Sequence, residues 1–382
     1  MAGLAAAAPM HEGQIIFPLQ GKHVHGSSIA QLPNGDLLAV WFHGSGERSA
    51  PDVQIQGARL KKGASEWSPV FQMADTPGLP DCNPVLFLDR NDTLWLFWIR
   101  VVANRWEHSL LMYRKTTDYL GEGPPNWDWQ DAITLIPGEE FLEQLKAGLR
   151  EARVDSGMWA EYARQYSKML VEAAEDKRKR QTGWMTRAQP IQLDSGRILV
   201  PLYSDGFNTC LAAISDDDGK TWRASGPMVG AGPIQPTFTT KKDGTIVAYF
   251  RDSGGAPGRV QWCESKDNGE TWTVTQDTEF PNPGSSLAAL TLEDGTWAIL
   301  YNDTERGRHS LALGLSDDEG KTWKWTRHLD QAEYGSGGSY EYPTLIQTPD
   351  GMLHTSYTYK EGGDKKSIKH AAFNVDWVKQ GD

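Results

Sequence analysis

Ser215–Trp222 reads SDDDGKTW, Ser265–Trp272 reads SKDNGETW and Ser316–Trp323 reads SDDEGKTW. All three fit S-x-D-x-G-x-T-W, and their first residues lie 50 and 51 positions apart. Each octamer has the parts of a turn between strands: an Asp that can accept from the backbone after it, a Gly that tolerates positive φ, and a Thr-Trp pair returning to extended chain. A constant period of this length marks a repeat architecture. The closing Trp is placed to pack between neighbouring sheets.

A second pattern covers the whole chain. A turn followed by an apolar strand recurs as PNGDLLAVWF from Pro33, DRNDTLWLFWI from Asp89, LDSGRILVPLY from Leu193, KKDGTIVAYF from Lys241, LEDGTWAILY from Leu292 and TPDGMLHTSYTY from Thr348. Five copies carry a turn glycine, at 35, 196, 244, 295 and 351; the second has Asp92-Thr93 instead. All intervals are close to one repeat except that between the second and third copies, which is about one repeat too long. The excess is helical in character. Between Pro137 and Thr182, Phe141, Leu142, Leu145 and Leu149 share one helical face, and Trp159, Tyr162, Tyr166, Met169 and Leu170 share another. The reading is an all-β chain: a six-bladed β-propeller over residues 13–382, with a helical hairpin inserted at about 137–183. The insert is expected to cover the channel as a lid or to make an oligomer contact. Residues 1–12, ending an Ala-rich start, are expected to be a flexible tail or the remnant of a secretory signal, which points to a secreted or periplasmic protein.

Composition agrees. Of 382 residues, 39 are Gly, above the usual ~7%, and 16 are Trp. No apolar run approaches the ~20 residues of a membrane-spanning helix, so no membrane partner is expected. A formal charge of −12 argues against a nucleic-acid partner. An acidic ligand would be repelled at long range unless a local Arg cluster overrides the global field. Cys82, Cys210 and Cys263 are too scattered for a disulfide framework, and with no C-x-x-C or H-x-x-x-H pair, no metal or other cofactor is expected.

The octamers resemble the Asp boxes of the sialidase (neuraminidase) superfamily, and the resemblance spans all six repeats. In that family the box is structural, so function must be argued from the site. The family's chemistry explains its residues. Guanidinium groups clamp the substrate carboxylate. A neutral Tyr activated by a carboxylate attacks the already negative sugar, and an acid protonates the leaving oxygen. On this resemblance Arg251, in AYFRDSGG, and Arg308, in ERGRHSLAL, match two of the three carboxylate-binding arginines. Tyr342, in YEYPTLIQ, matches the nucleophile, and Asp52, in APDVQIQ, the general acid. Gln235 and Asn83 are candidate ligands for sugar hydroxyls.

Two positions depart from the family. His25 stands where the remaining arginine belongs, and Gln235 where the glutamate that activates Tyr belongs; an amide cannot take the phenol proton as a carboxylate would. Glu341 and Glu264 are possible stand-ins, but strand alternation should turn Glu341 away from Tyr342. HGSSIAQLPNGDLLAVWF, DCNPVLF, FPNPGSS and IKHAAF resemble a distinct branch of these propellers, similar also to rhamnose–glucuronate lyases and rhamnosidases of plant glycans. The leading expectation is an exo-acting glycoside hydrolase of sialidase type that removes a terminal acidic sugar, with Tyr342, Asp52 and His25 catalytic. The alternatives are a uronate-directed lyase or rhamnosidase, and a non-catalytic sugar-binding propeller.

Overall fold

The computed structural model describes residues 8–154 and 160–382, with the side chains of residues 160–164 outside that description. Six antiparallel sheets surround a central channel, each running outward from an inner strand. The inner strands are His23–Gln31, Asp81–Leu88, the broken pair Met185–Thr186 and Ile191–Gln192, then Pro233–Thr240, Ala288–Thr291 and Ser339–Gln347. The chain is a six-bladed propeller with a helical insert between the second and third blades. The ring is closed by the N-terminal strand His11–Ile15, which pairs with Ser367–Phe373 as the outer strand of the sixth blade. His11 and Glu12 therefore belong to a blade rather than to a tail; residues 1–7 lie outside the described residues.

The turn pattern has a backbone cause. Gly35, Gly196, Gly244, Gly295 and Gly351 have φ between 82° and 90° in the turn after the inner strand, and Asp92 takes the equivalent place with φ 57°. Asp is one of the few side chains that tolerate this region. In the first box Asp217 accepts from the Thr221 backbone at 2.9 Å and the Thr221 hydroxyl at 2.7 Å, while Ser215 accepts from Gly219 N at 2.8 Å. The other two boxes repeat these bonds. Backbone and side-chain donation from Thr221 holds the Asp217 carboxyl at about 2.

The insert consists of α1 (Glu139–Glu151), α2 (Ala160–Glu175) and α3 (Lys177–Gln181). Phe141, Leu142, Leu145 and Leu149 are buried with Trp184, Phe207 and Val229 of the third blade, so the apolar face of α1 is covered by the propeller itself. Of the second predicted face, Trp159 and the side chain of Tyr162 lie outside the described residues; Leu170 is buried and Met169 is 48% exposed. In α3 the run Lys177–Arg180 is basic, but Arg180 is buried and pairs with Glu139 at 2.9 Å. All three cysteines are buried free thiols. No helix of the described residues is long and apolar enough to cross a membrane.

Candidate functional site

Four inner strands share an irregularity near their start. Pairing with the second strand slips between His25 and Ser28, Cys82 and Val85, Ile234 and Thr237, and Glu341 and Thr344. Within each slip one residue is left-handed: Gly26 (φ 61°), Asn83 (φ 52°), Gln235 (φ 56°) and Tyr342 (φ 57°). In the last three a proline follows, and a proline inside a strand is the usual sign of a bulge. The bulges re-aim Asn83, Gln235 and Tyr342 from three blades towards the channel, where their side chains form one network.

The network centres on two phenols. Asn83 Nδ2 donates to the Tyr203 hydroxyl at 3.2 Å. Gln235 Nε2 donates to both the Tyr203 and the Tyr342 hydroxyls at 3.3 Å, and Arg251 donates to the Tyr342 hydroxyl at 2.7 Å. Three cations and a histidine surround the Tyr342 ring: Arg187 at 4.9 Å, Arg308 at 5.3 Å, Arg251 at the hydroxyl and the His25 ring at 4.1 Å. Gln235 Oε1, Arg251 Nε and Arg187 Nε are buried without a hydrogen-bond partner. Despite the acidic chain, the centre of the channel carries more fixed positive than negative charge.

Glu341 corrects the expectation drawn from strand alternation. Because the bulge falls immediately after it, Glu341 remains at the site. It pairs with Arg308 at 2.8 Å, accepts from Ser339 at 2.6 Å and lies 3.7 Å from His25 Nδ1. Burial alone would push the Glu341 carboxyl up, but His25 and Arg308 outweigh it and hold the group at about 2. Burial also drives His25 well below 6.5 against the pull of Glu341. At neutral pH, with His25 uncharged, Arg308 and Lys366 are the charges that favour ionised Glu341, and His25 adds its pull only when it protonates at lower pH. His25 Nδ1 also meets the Thr358 hydroxyl at 3.0 Å. Glu264, the other carboxylate considered, is held by Lys241 at 2.8 Å, apart from this network.

Six of the seven sequence-derived candidates, Tyr342, His25, Arg251, Arg308, Gln235 and Asn83, therefore meet in one network. Asp52 does not join it. Its carboxylate closes its own loop on Ser45, accepting from the backbone at 3.0 Å and the hydroxyl at 2.6 Å, with Lys22 at 3.4 Å. Those Ser45 bonds pull the Asp52 carboxyl down, which opposes a role as proton donor. Two carboxyls that sequence reading missed are raised instead. Burial pushes up Glu47, in the same loop as Asp52, against Arg48, Lys366 and Arg308. Partial desolvation raises Asp205 as well, against Arg251 and Arg48, although its surface is exposed, so the upward pull there is weak. Tyr203 and Arg187 were also missed: Tyr203 ends the third repeated strand motif, where an aromatic looks like strand core, and Arg187 lies outside the motifs, although the proline after three of the four bulge residues was a usable signal for where side chains converge. Among the described residues no group of three or more His, Cys, Asp or Glu side chains is arranged to hold a metal ion.

Comparison with known proteins agrees with this architecture. The chain is 27% identical over 217 residues to a sialidase of Micromonospora viridifaciens, covering 51% of this chain and 32% of that protein. It is 27% identical over 184 residues to the anhydrosialidase of Macrobdella decora, covering 43% of this chain and 23% of that one. The matches thus span less than a third of each of these relatives. A crystal structure of a protein of unknown function from Dyadobacter fermentans has the same fold, with a TM-score of 0.67 at 16% identity, over 95% of this chain and 98% of that one. The pattern of the BNR repeat-like domain matches residues 35–148 and 165–355, leaving out part of the helical insert. With that match running through the repeats on both sides of the insert, the chain belongs to the BNR repeat-like domain family.

Proposed function

We propose that the chain is an exo-acting glycoside hydrolase of sialidase type that removes a terminal acidic sugar from a glycan. The observation that carries this reading is the meeting of Arg251, Arg308 and Tyr342 at the channel centre, with Arg251 donating to the phenol at 2.7 Å and keeping a buried, unpartnered Nε. Guanidinium donors at a neutral phenol suit a substrate with a carboxylate on its reacting carbon. The Tyr342 oxygen attacks that carbon as the bond to the leaving oxygen breaks, its phenol proton passing to the neutral His25, and water then cleaves the glycosyl–tyrosine bond to release the sugar and return the phenol; negative charge in the transition state is met by fixed donors. Glu47, whose carboxyl burial pushes above its ordinary value, is better suited by its chemistry to deliver a proton to the leaving oxygen than Asp52, whose carboxyl is pulled down. Asn83 and Gln235 supply amide groups for sugar hydroxyls. The sialidase and anhydrosialidase relatives support this substrate class.

One observation favours a second reading. The Tyr342 hydroxyl receives two donors and, among the described residues, no carboxylate accepts from it. A uronate-directed lyase needs cations at the carboxylate and a base for the adjacent carbon-bound proton, which Tyr342 or the neutral His25 would provide. A paired assay separates the two. Release of a fluorophore from an α-sialoside supports hydrolysis; growth of unsaturated-uronate absorbance over a uronate-capped plant glycan supports elimination. Binding of the free sugar acids by calorimetry with no product in either arm would leave a sugar-binding propeller and overturn both.

A further inference from the structure

Arg187 occupies the interruption in the inner strand of the third blade, between Met185–Thr186 and Ile191–Gln192. Its side chain is 2% exposed, and the ionisable groups that act on it among the described residues are the phenols of Tyr342 and Tyr203, with no carboxylate. Burial draws it down to about 10, so it remains a cation at neutral pH. A buried guanidinium without a counter-ion is costly to desolvate. A sequence retains such a group where its hydrogen bonds or its charge serve something else.

Both are directed at one residue. Arg187 donates to the carbonyl of Ser27 in the first blade at 3.2 Å, and to the carbonyls of Tyr342 and, at 3.2 Å, Pro343 in the sixth. Its guanidinium also lies 4.9 Å from the centre of the Tyr342 ring. Tyr342 is left-handed at φ 57°, a conformation that costs a non-glycine residue about 1–2 kcal/mol and persists only when its surroundings enforce it. The two carbonyls bound by Arg187 belong to the bulged peptide itself.

We propose that Arg187 is a positioning residue for Tyr342. It locks the left-handed bulge that turns the phenol into the channel, and it holds a fixed positive charge behind the ring, in place of a carboxylate beside the hydroxyl. The turnover part of this inference rests on Tyr342 being the reacting group; the effect on the phenol itself does not.

The experiment measures acetylation of Tyr342 by N-acetylimidazole, read by peptide mass spectrometry, in wild type, Arg187→Met and Arg187→Lys, with thermal melts alongside. The wild-type phenol is expected to label; Arg187→Met should label several-fold more slowly, and Arg187→Lys, which keeps the charge and loses the planar fork, should fall between them. In parallel, Arg187→Met should lower kcat on whichever acidic glycan is turned over by about 100-fold, on the scale of losing one fixed donor, while KM changes little. Equal labelling rates in all three folded proteins, or no labelling of wild type, overturn the proposal, as does a lower melting temperature with unchanged kcat. If Arg187→Met does not fold, Arg187→Lys labelling at the wild-type rate overturns it and slower labelling supports it. Labelling that depends on Arg187 with no glycan turned over would sink the proposed hydrolase or lyase activity and leave this inference standing.

Discussion

Glu341 and Tyr342 are consecutive in the chain, yet both meet the same guanidinium: Arg308 pairs with the Glu341 carboxylate at 2.8 Å and lies 5.3 Å from the Tyr342 ring. A regular strand would have sent the two side chains to opposite faces. The left-handed peptide at Tyr342 cancels that alternation, so one bulge places an anion and a phenol on either side of one cation. Glu341 is thereby committed to Arg308 and does not hydrogen-bond the phenol as an activating base.

Replacing Tyr342 with Phe should abolish turnover of the acidic glycan and leave the fold intact. The change removes one hydroxyl that accepts from Arg251 and Gln235, which should cost about 1–2 kcal/mol of stability. Steady-state kinetics and a thermal melt on the same preparation check both parts. Wild-type kcat in Tyr342→Phe would remove Tyr342 from the chemistry.

Glu341→Gln should be destabilising by about 2–3 kcal/mol at neutral pH, because it leaves Arg308 without its anion in a mostly buried setting. The pH dependence follows from the direction of the shift. The folded-state carboxyl is held at about 2, below its ordinary value of 4.5, so its stabilisation is complete above about 4.5 and is lost as pH falls towards 2. The gap between wild type and Glu341→Gln in denaturant midpoint should therefore close as pH falls through that window. A gap that is constant with pH would show that the pair contributes through packing instead.

The blades could be read from the chain because each repeat is built from local turn chemistry: the boxes, the turn glycines, and Asp92 standing in for one of them with φ 57°. The insert was visible for the same reason, through helical spacing that interrupts the period. Arg251, Arg308 and Tyr342 could be located because they flank repeated strands. Arg187 and Glu47 could not, since nothing local distinguishes a channel arginine or loop glutamate from a solvated one, and Tyr203, at the end of the third repeated strand, is indistinguishable there from a core aromatic; only closure of the ring brings Arg187 of the third blade onto carbonyls of the first and sixth. The expectation for Asp52 did not foresee a local detail, the capture of its carboxylate by Ser45 seven residues earlier.

Glu47→Gln should lower kcat more than Asp52→Asn does. Burial keeps the Glu47 carboxyl protonated to higher pH than an ordinary glutamate, whereas Ser45 holds that of Asp52 down. A general acid works only while protonated, so wild-type kcat should fall as pH rises through the raised Glu47 value, and this limb should be missing in Glu47→Gln. Such a loss is expected to be about 100-fold or more with a poor leaving group and smaller with an activated aryl glycoside. If Asp52→Asn is the more damaging change and carries the pH limb with it, the proton donor is Asp52.

The box glycines should be required for blade-to-blade packing as well as for turning the chain. A Cβ on Gly219, in the third blade, would lie 2.3 Å from Cη2 of Trp95 in the second, a side chain that is 1% exposed and cannot move aside. Gly219 also has φ 73°, so Ala there adds backbone strain to overpacking. Gly196 is the control: its φ is 90°, but nothing lies within 4 Å of where its Cβ would be. Gly196→Ala should cost only the backbone term, about 1–2 kcal/mol, while Gly219→Ala should add the about 1–3 kcal/mol typical of forcing extra volume into a packed core. Denaturant titrations of the two variants measure the difference directly. Equal midpoints would mean that the box glycine serves the turn alone and that Trp95 can yield to the added methyl.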